Sequence, residues 1–311
     1  MKALLTRLDG YFMGPAPAAR LGALRVLVGG FAMLYLLARL PHFLSYGGFN
    51  PVQFRPVGAV WLLCDSPLPG WSVTALTLAT IALSVPFFLG YYTRIFGPVF
   101  ALLLLFTISY RNSFGMVFHT ENLLCLHVLI LSVTACADAW SLDARRRRAR
   151  ASDDMDRGQA EHGRYGWPIK LMCWVVVIAY VLAGLAKLKN GGTSWLWGDE
   201  LRNHVALDNA KKILLGDIHS PLAGPLMHWD SLWKLLATMT VVLELGAPIA
   251  LLGGRVALVW VVGVIGFHVG VLALMMIVFP YQMLGVSFAC FFRSERLLEW
   301  ARARWQRWRG S

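Results

Sequence analysis

Eight polar or ionisable side chains interrupt otherwise apolar stretches of the chain: Arg25, His119, Glu121, Asn122, His127, Lys187, Glu244 and His268. A charged group at the centre of a bilayer costs about 2.5–3.5 kcal/mol on insertion scales, so each needs a partner or a task. Lys187 stands out by its neighbours. The run from Tyr180 to Lys187 places Tyr180, Ala183, Gly184 and Lys187 on one helical face at i, i+3, i+4 and i+7. Small residues beneath a lysine leave room for a ligand or for another backbone. The competing reading is an amine that reaches the interface while its stem lies along apolar surface. His119 and His127 nearly share a face but lie about 12 Å apart along a helix axis, so one metal cannot take both. No metal site is expected, and nothing in the spacing of the eight histidines supports haem ligation. Glu244 and His268 fall midway along their apolar stretches, where a polar contact between neighbouring helices is the structural alternative. Arg25 is expected to answer a buried carboxylate, with Glu244 one candidate. There is no glycine-rich phosphate loop, G-x-S-x-G elbow or H-E-x-x-H.

The elements that must hold these residues are membrane spans. Of 311 residues, 57% are hydrophobic and 15% charged, against roughly 25% charged in soluble domains. Apolar windows fall at 20–40, 71–91, 95–110, 114–137, 168–187, 233–253, 256–277 and 279–292. They predict an all-α polytopic transmembrane bundle of about eight spans. The formal charge of +12 sits mainly in Arg145–Arg148 with Arg150 and in Arg293–Arg309, segments that flank spans. That distribution follows the positive-inside rule and argues against nucleic acid as a partner. With both termini cytoplasmic, Arg94, the basic loop 141–167, Arg255 and the 293–311 tail all fall inside. Outside lie the segments 42–70 and 188–231, the short Arg111–Ser113 turn and a tight corner at Phe279–Tyr281.

Residues 197–215 read as a surface helix. The tail places Leu298, Ala301, Trp305 and Trp308 on one face with arginines elsewhere, an amphipathic helix suited to an anionic leaflet. Residues 1–14 lack the apolar region of a signal peptide, so the first span is expected to be retained. The five cysteines form no C-x-x-C pair. Cys125 and Cys136, about 16 Å apart on one helix, are too distant for a disulfide.

Several strings, in order, resemble one family: Trp140-Ser-Leu-Asp-Ala144, Trp167-Pro-Ile-Lys-Leu171, Ala183-Gly-Leu-Ala-Lys-Leu188, Trp197-Gly198, Gly266-Phe-His268 and Phe279-Pro-Tyr-Gln-Met-Leu284. Together they resemble the HTTM domain, the membrane domain of vitamin K-dependent gamma-glutamyl carboxylase and its bacterial relatives, including sporulation-delaying-protein B-like factors that mature secreted toxic peptides. The resemblance covers about 5–292, so the domain is taken as 1–292 with the tail 293–311 appended. It implies that Lys187 matches the carboxylase lysine that deprotonates vitamin K hydroquinone on the luminal side. Such a base must be neutral near pH 7, which an apolar, desolvated pocket favours.

The family also uses a histidine before the W-S-x-D string. Its spacing lands on Thr120, beside His119, and the resemblance implies His119 as the second catalytic group. Tyr180, Gly184, Thr120, Asn122 and His268 then line the quinol pocket, and Arg25 and Glu244 form a structural polar core. The large luminal domain that recruits protein substrates has no counterpart, since the longest outer segment is 188–231. Carboxylation of a protein glutamate is therefore not expected.

The function these readings imply is an inner-membrane enzyme using a quinol-type, vitamin K-like lipid and O2 to modify a secreted peptide or small molecule. The alternative is a non-enzymatic membrane subunit or maturation partner of a secreted-peptide or redox complex. Expected partners are membrane lipids and a secreted peptide or another membrane protein.

Overall fold

Inside a bilayer every backbone N–H and C=O must be paired within the chain, and helices do this segment by segment. The structure is a computed structural model that describes residues 10–115, 120–150 and 161–310. A two-residue strand β1 (Ala16–Pro17) precedes α1 (Ala18–Ala38), α2 (Gly70–Leu89), α3 (Thr93–Asn112), α4 (Asn122–Ser132) and α5 (Leu142–Arg150). There follow β2 (Glu161–His162), α6 (Gly163–Gly191), α7 (Glu200–Leu214), α8 (Asp230–Leu245), α9 (Gly254–Met275) and α10 (Glu295–Gly310). Among the described residues five helices, α1, α2, α3, α6 and α9, are long and apolar enough to cross a membrane. The all-α membrane class holds.

Among the described residues, three of the eight apolar windows do not form spanning helices. Window 114–137 yields α4, only 11 residues long. Window 233–253 is divided: α8 ends at Leu245 and a 3-10 segment, Ala247–Leu252, follows. Pro248 has no N–H and its ring clashes with the preceding turn, so the α-helix stops before it. Window 279–292 holds a four-residue helix, Pro280–Met283, and a 3-10 segment, Val286–Phe291. Phe279 packs on His268 in a tilted contact with ring centroids 4.6 Å apart, whereas Phe288 and Phe291 lie on Trp260 at 5.8 and 6.0 Å. Eight residues of α9 separate those levels, about 12 Å. The last window thus runs back along α9 as irregular backbone. Such backbone is tolerated at membrane depth only inside protein, and Tyr281, Gln282, Ser287 and Phe288 are buried.

The chain divides into two compact units, residues 1–172 with 293–311, and residues 173–292. In the first unit β1 pairs antiparallel with β2, and the Arg20 guanidinium holds Glu295 through two bonds of 3.0 and 2.9 Å. Asp143 accepts from the N–H groups of Tyr92 and Thr93, both at 2.9 Å, which caps α3. Ser141 Oγ accepts from Ala144 N at the start of α5. The string from Trp140 to Asp143 is therefore a structural knot. It also explains Gly90, whose φ is +65° and whose added Cβ would lie 2.4 Å from Ser141 Cβ.

The start of α1, the α2–α3 turn, β2 and the root of α10 share this end of the unit. The other end is an aromatic cap of Tyr46, Phe54, Tyr110 and Phe114. There Arg55 N–H donates to Ser113 O at 2.7 Å and Leu68 N–H to Tyr110 Oη at 3.1 Å.

Arg25 requires a correction. It is fully buried, but it answers carbonyls rather than a carboxylate: Nε donates to Cys136 O at 3.2 Å, Nη1 to Phe87 O at 3.0 Å and to Phe88 O, and Nη2 to Trp140 O. Phe87 and Phe88 close α2, where the last carbonyls have no intrahelical donor and carry the negative end of the helix dipole.

In the second unit α7 likewise serves a helix end. Asn209 Nδ2 donates to Leu274 O at 2.9 Å, Ser220 Oγ to Ala273 O at 2.6 Å, and Lys212 to Met275 O, which pairs the final carbonyls of α9. The predicted surface helix at 197–215 is thus fastened by its polar face, with Leu214 and Leu215 left exposed.

Candidate functional site

One face of α6 carries the polar stripe that the spacing predicts. Tyr180 Oη lies 2.7 Å from His268 Nε2 of α9, and its ring packs edge-on against Trp260 at 5.3 Å. Two turns further along, about 10 Å, Lys187 Nζ donates to both oxygens of Glu244, at 2.5 and 2.6 Å. The Glu244 side chain is 4% exposed and that of Lys187 21%.

The partner of Glu244 is therefore Lys187, not Arg25. Glu244 sits in the last turn of α8, where its own charge and the helix dipole are both negative, so a cation there answers two demands. Trp260 Nε1 completes the helix end by donating to Leu243 O at 2.9 Å.

Gly184 lies between the two polar contacts. A Cβ there would come within 2.8 Å of Leu245 Cδ2 and 3.1 Å of Glu244 Cβ. The small residue is used for close approach of α8 to α6, so the space beside it is occupied by protein.

Lys187 also meets Trp195, in the short helix Ser194–Trp197, with the ammonium 5.7 Å from the ring centroid. Trp195 is buried against Ala237 and Val241, with Leu188, Leu201 and Leu245 around it. His204 of α7 lies against the same ring at 5.4 Å. Among the described residues the buried Trp195 Nε1–H has no hydrogen-bond partner, an unmet donor beside the ion pair. Trp195 was missed by sequence reasoning because an indole in an outer segment is equally at home at the headgroup level. The Lys-x7-Trp spacing across Gly191-Gly192 is the only trace of the contact.

A half-open groove of about 320 Å³ runs between α7, α8 and α9. It is lined by apolar side chains such as Leu201, Met239, Leu243 and Leu274, and by Gly266 and Gly270, where an added Cβ would meet open space. The groove does not reach Lys187 itself. It adjoins the site through Leu201, which packs on Trp195, and through Leu243, which precedes Glu244.

The remaining predicted residues lie in the first unit. His119 is outside the described residues. Thr120 bonds Glu121, and Asn122 is exposed at the start of α4. Glu121 is buried and receives Arg111 Nη1 at 2.9 Å and Nη2 at 2.7 Å, with Tyr35 Oη on the same carboxylate. Arg111, expected in an exposed turn, is a buried residue in the last turn of α3. Just outside the spans, burial together with the nearby Arg39 and Arg111 holds the His42 pKa below its ordinary value. Among the described residues no three His, Cys, Asp or Glu side chains are placed to hold a metal ion.

The HTTM domain matches residues 13–295 of the chain. No curated protein and no solved structure matches it.

Proposed function

We propose, since the chain belongs to the HTTM domain family, a membrane carboxylase-related family, that it is an inner-membrane enzyme acting on a quinol-type, vitamin K-like lipid. The modified product is a secreted peptide or small molecule. The observation that carries this reading is the Lys187–Glu244 pair with an unmet Trp195 donor beside it. A bound quinol would supply an ionisable hydroxyl and two electrons for reaction with O2.

The chain's own residues supply a proton relay. Transfer of one proton from Lys187 Nζ to Glu244 leaves a neutral amine without changing the charge of the pair, and that amine is a general base. The Trp195 ring face steadies the ammonium that re-forms, and its Nε1–H is a donor for an oxygen on the lipid head. The apolar groove suits a prenyl tail. Tyr180 and His268 extend the polar stripe of α6 and form the pocket's second polar pair. On the family resemblance, His119 is the proposed second acid–base group, and Thr120 and Asn122 are proposed to line the quinol pocket.

The topology follows from charge. Arg20, at the start of α1, meets Glu295, at the root of α10, so the chain makes an even number of crossings between them. We take these as eight, five by long helices, with both basic ends facing the cytoplasm. Lys187 then lies near the outer ends of its helix, one turn before Gly191.

One observation favours the rival reading of a non-enzymatic subunit or maturation partner. The junction at Gly184 is filled by Leu245, and both Glu244 oxygens are already engaged. Lipids that co-purify with the protein in native membrane particles separate the two readings. Mass spectrometry is expected to find a quinone enriched over the bulk membrane and depleted when Gly270→Leu fills the groove. Bulk phospholipid alone, in both proteins, would favour the scaffold.

A further inference from the structure

We propose that α10 is a membrane-surface clamp, its tryptophan face set into the anionic leaflet at the end of α1. At 100° per residue, Trp300, Leu297, Trp308, Ala301, Trp305 and Leu298 fall within an arc of about 160°, and Arg296, Arg302, Arg307 and Arg309 occupy the rest. Arg304 falls inside the apolar arc but stacks on Trp300 at 5.4 Å, as Arg309 does on Trp305 at 4.1 Å.

Past Leu298 this helix is exposed along its length. Every residue from Glu299 to Arg309 is exposed, and Trp308 is 74% exposed. Trp300 and Trp305, 55% and 51% exposed, form with the largely exposed Trp308 ring an apolar face that marks an interaction site.

The root fixes where that face lies. Ser294 and Glu295 are buried, and Glu295 is gripped by both arms of Arg20 at the first turn of a membrane-crossing helix. The helix therefore begins at the level where α1 enters the bilayer, the depth at which tryptophan rings settle.

Charge selects the occupant. None of Arg296, Arg302, Arg304, Arg307 and Arg309 has a carboxylate partner among the described residues. The arginines of α5 are exposed at the same end of the unit. Guanidinium groups pair bidentately with phosphate, and a basic helix with tryptophans on its other face suits an anionic lipid surface. This inference is independent of the chemistry at Lys187.

The test uses the full-length protein in nanodiscs of phosphatidylcholine alone or mixed with phosphatidylglycerol, with trypsin cleavage of the tail followed by intact mass. Cleavage after Arg302 and Arg304 is expected to slow about tenfold or more with the anionic lipid. The combined variant Trp300→Ser, Trp305→Ser is expected to lose that protection while its thermal melting stays unchanged, since both side chains lie in the exposed part of the helix. Equal cleavage rates in the two lipid mixtures would overturn the proposal. So would protection that survives removal of the tryptophans, or protection that appears only with a second protein present.

Discussion

The first unit buries Arg111 against Glu121, and the second sets Lys187 against Glu244. In the first, a guanidinium meets both carboxylate oxygens, spends two further contacts of 3.4 and 3.0 Å on Asn112 Oδ1, and shares the carboxylate with Tyr35. That arrangement ties α1, α3 and the start of α4 together with a cation that does not release its proton. In the second, an ammonium with three rotatable donors meets one carboxylate and the face of an indole, and remains 21% exposed. The same charge pairing is thus a clamp where the cation is arginine and, in the proposed function, a relay where it is lysine. The choice of cation, more than burial, separates the two roles.

The largest effect is expected from breaking the clamp. Arg111→Met leaves Glu121 buried without its partner, and the loss of one member of a buried pair costs about 3–5 kcal/mol. Thermal unfolding of the purified variant should show a large fall in Tm or no monodisperse protein. A variant as stable as the parent would mean that Glu121 is hydrated and the clamp idle.

A smaller effect is expected at the junction beside the relay. Gly184→Val puts side-chain atoms into Leu245 and should cost about 1–3 kcal/mol, as overpacking does. If it were neutral, α8 would not be held against α6 as closely as the ion pair requires.

The smallest effect is a pH dependence in the first unit. Arg39 and Arg111, with burial, depress the His42 pKa, while Glu121 opposes them. The unfolded chain then binds more protons than the folded one as the pH falls below about 6.5. The resulting stability is present above that pH and is lost as the pH drops towards the lower folded value. The fall in Tm between pH 7 and pH 5 is expected to be shallower in His42→Gln. An unchanged slope would remove the cationic cluster as the cause.

Much of this was legible in the sequence because periodicity reports faces. The apolar windows located α1, α2, α3, α6 and α9, and the i, i+3, i+4, i+7 pattern put Tyr180, Gly184 and Lys187 on one face. What periodicity does not report is who fills the facing space. Glu244 is 57 residues from Lys187, and only the packing of α8 makes them partners. Arg25 signalled a need for negative charge, which carbonyls at a helix end satisfy as well as a carboxylate does. Pro248 marks the end of α8, a signal that the window 233–253 passed over. The hydropathy of 279–292 resembled a span because a strand of chain buried in protein and one buried in lipid are equally apolar.

Lys187→Arg tests the central claim most directly, because a guanidinium can keep the ion pair with Glu244 but cannot serve as a base. The measurement is turnover of supplied vitamin K hydroquinone to its epoxide by the protein in nanodiscs under O2, with Tm recorded on the same samples. The account predicts that Lys187→Arg keeps a Tm near the parent's and loses turnover. Full turnover in Lys187→Arg would contradict it and leave Lys187 as a second clamp, built like Arg111.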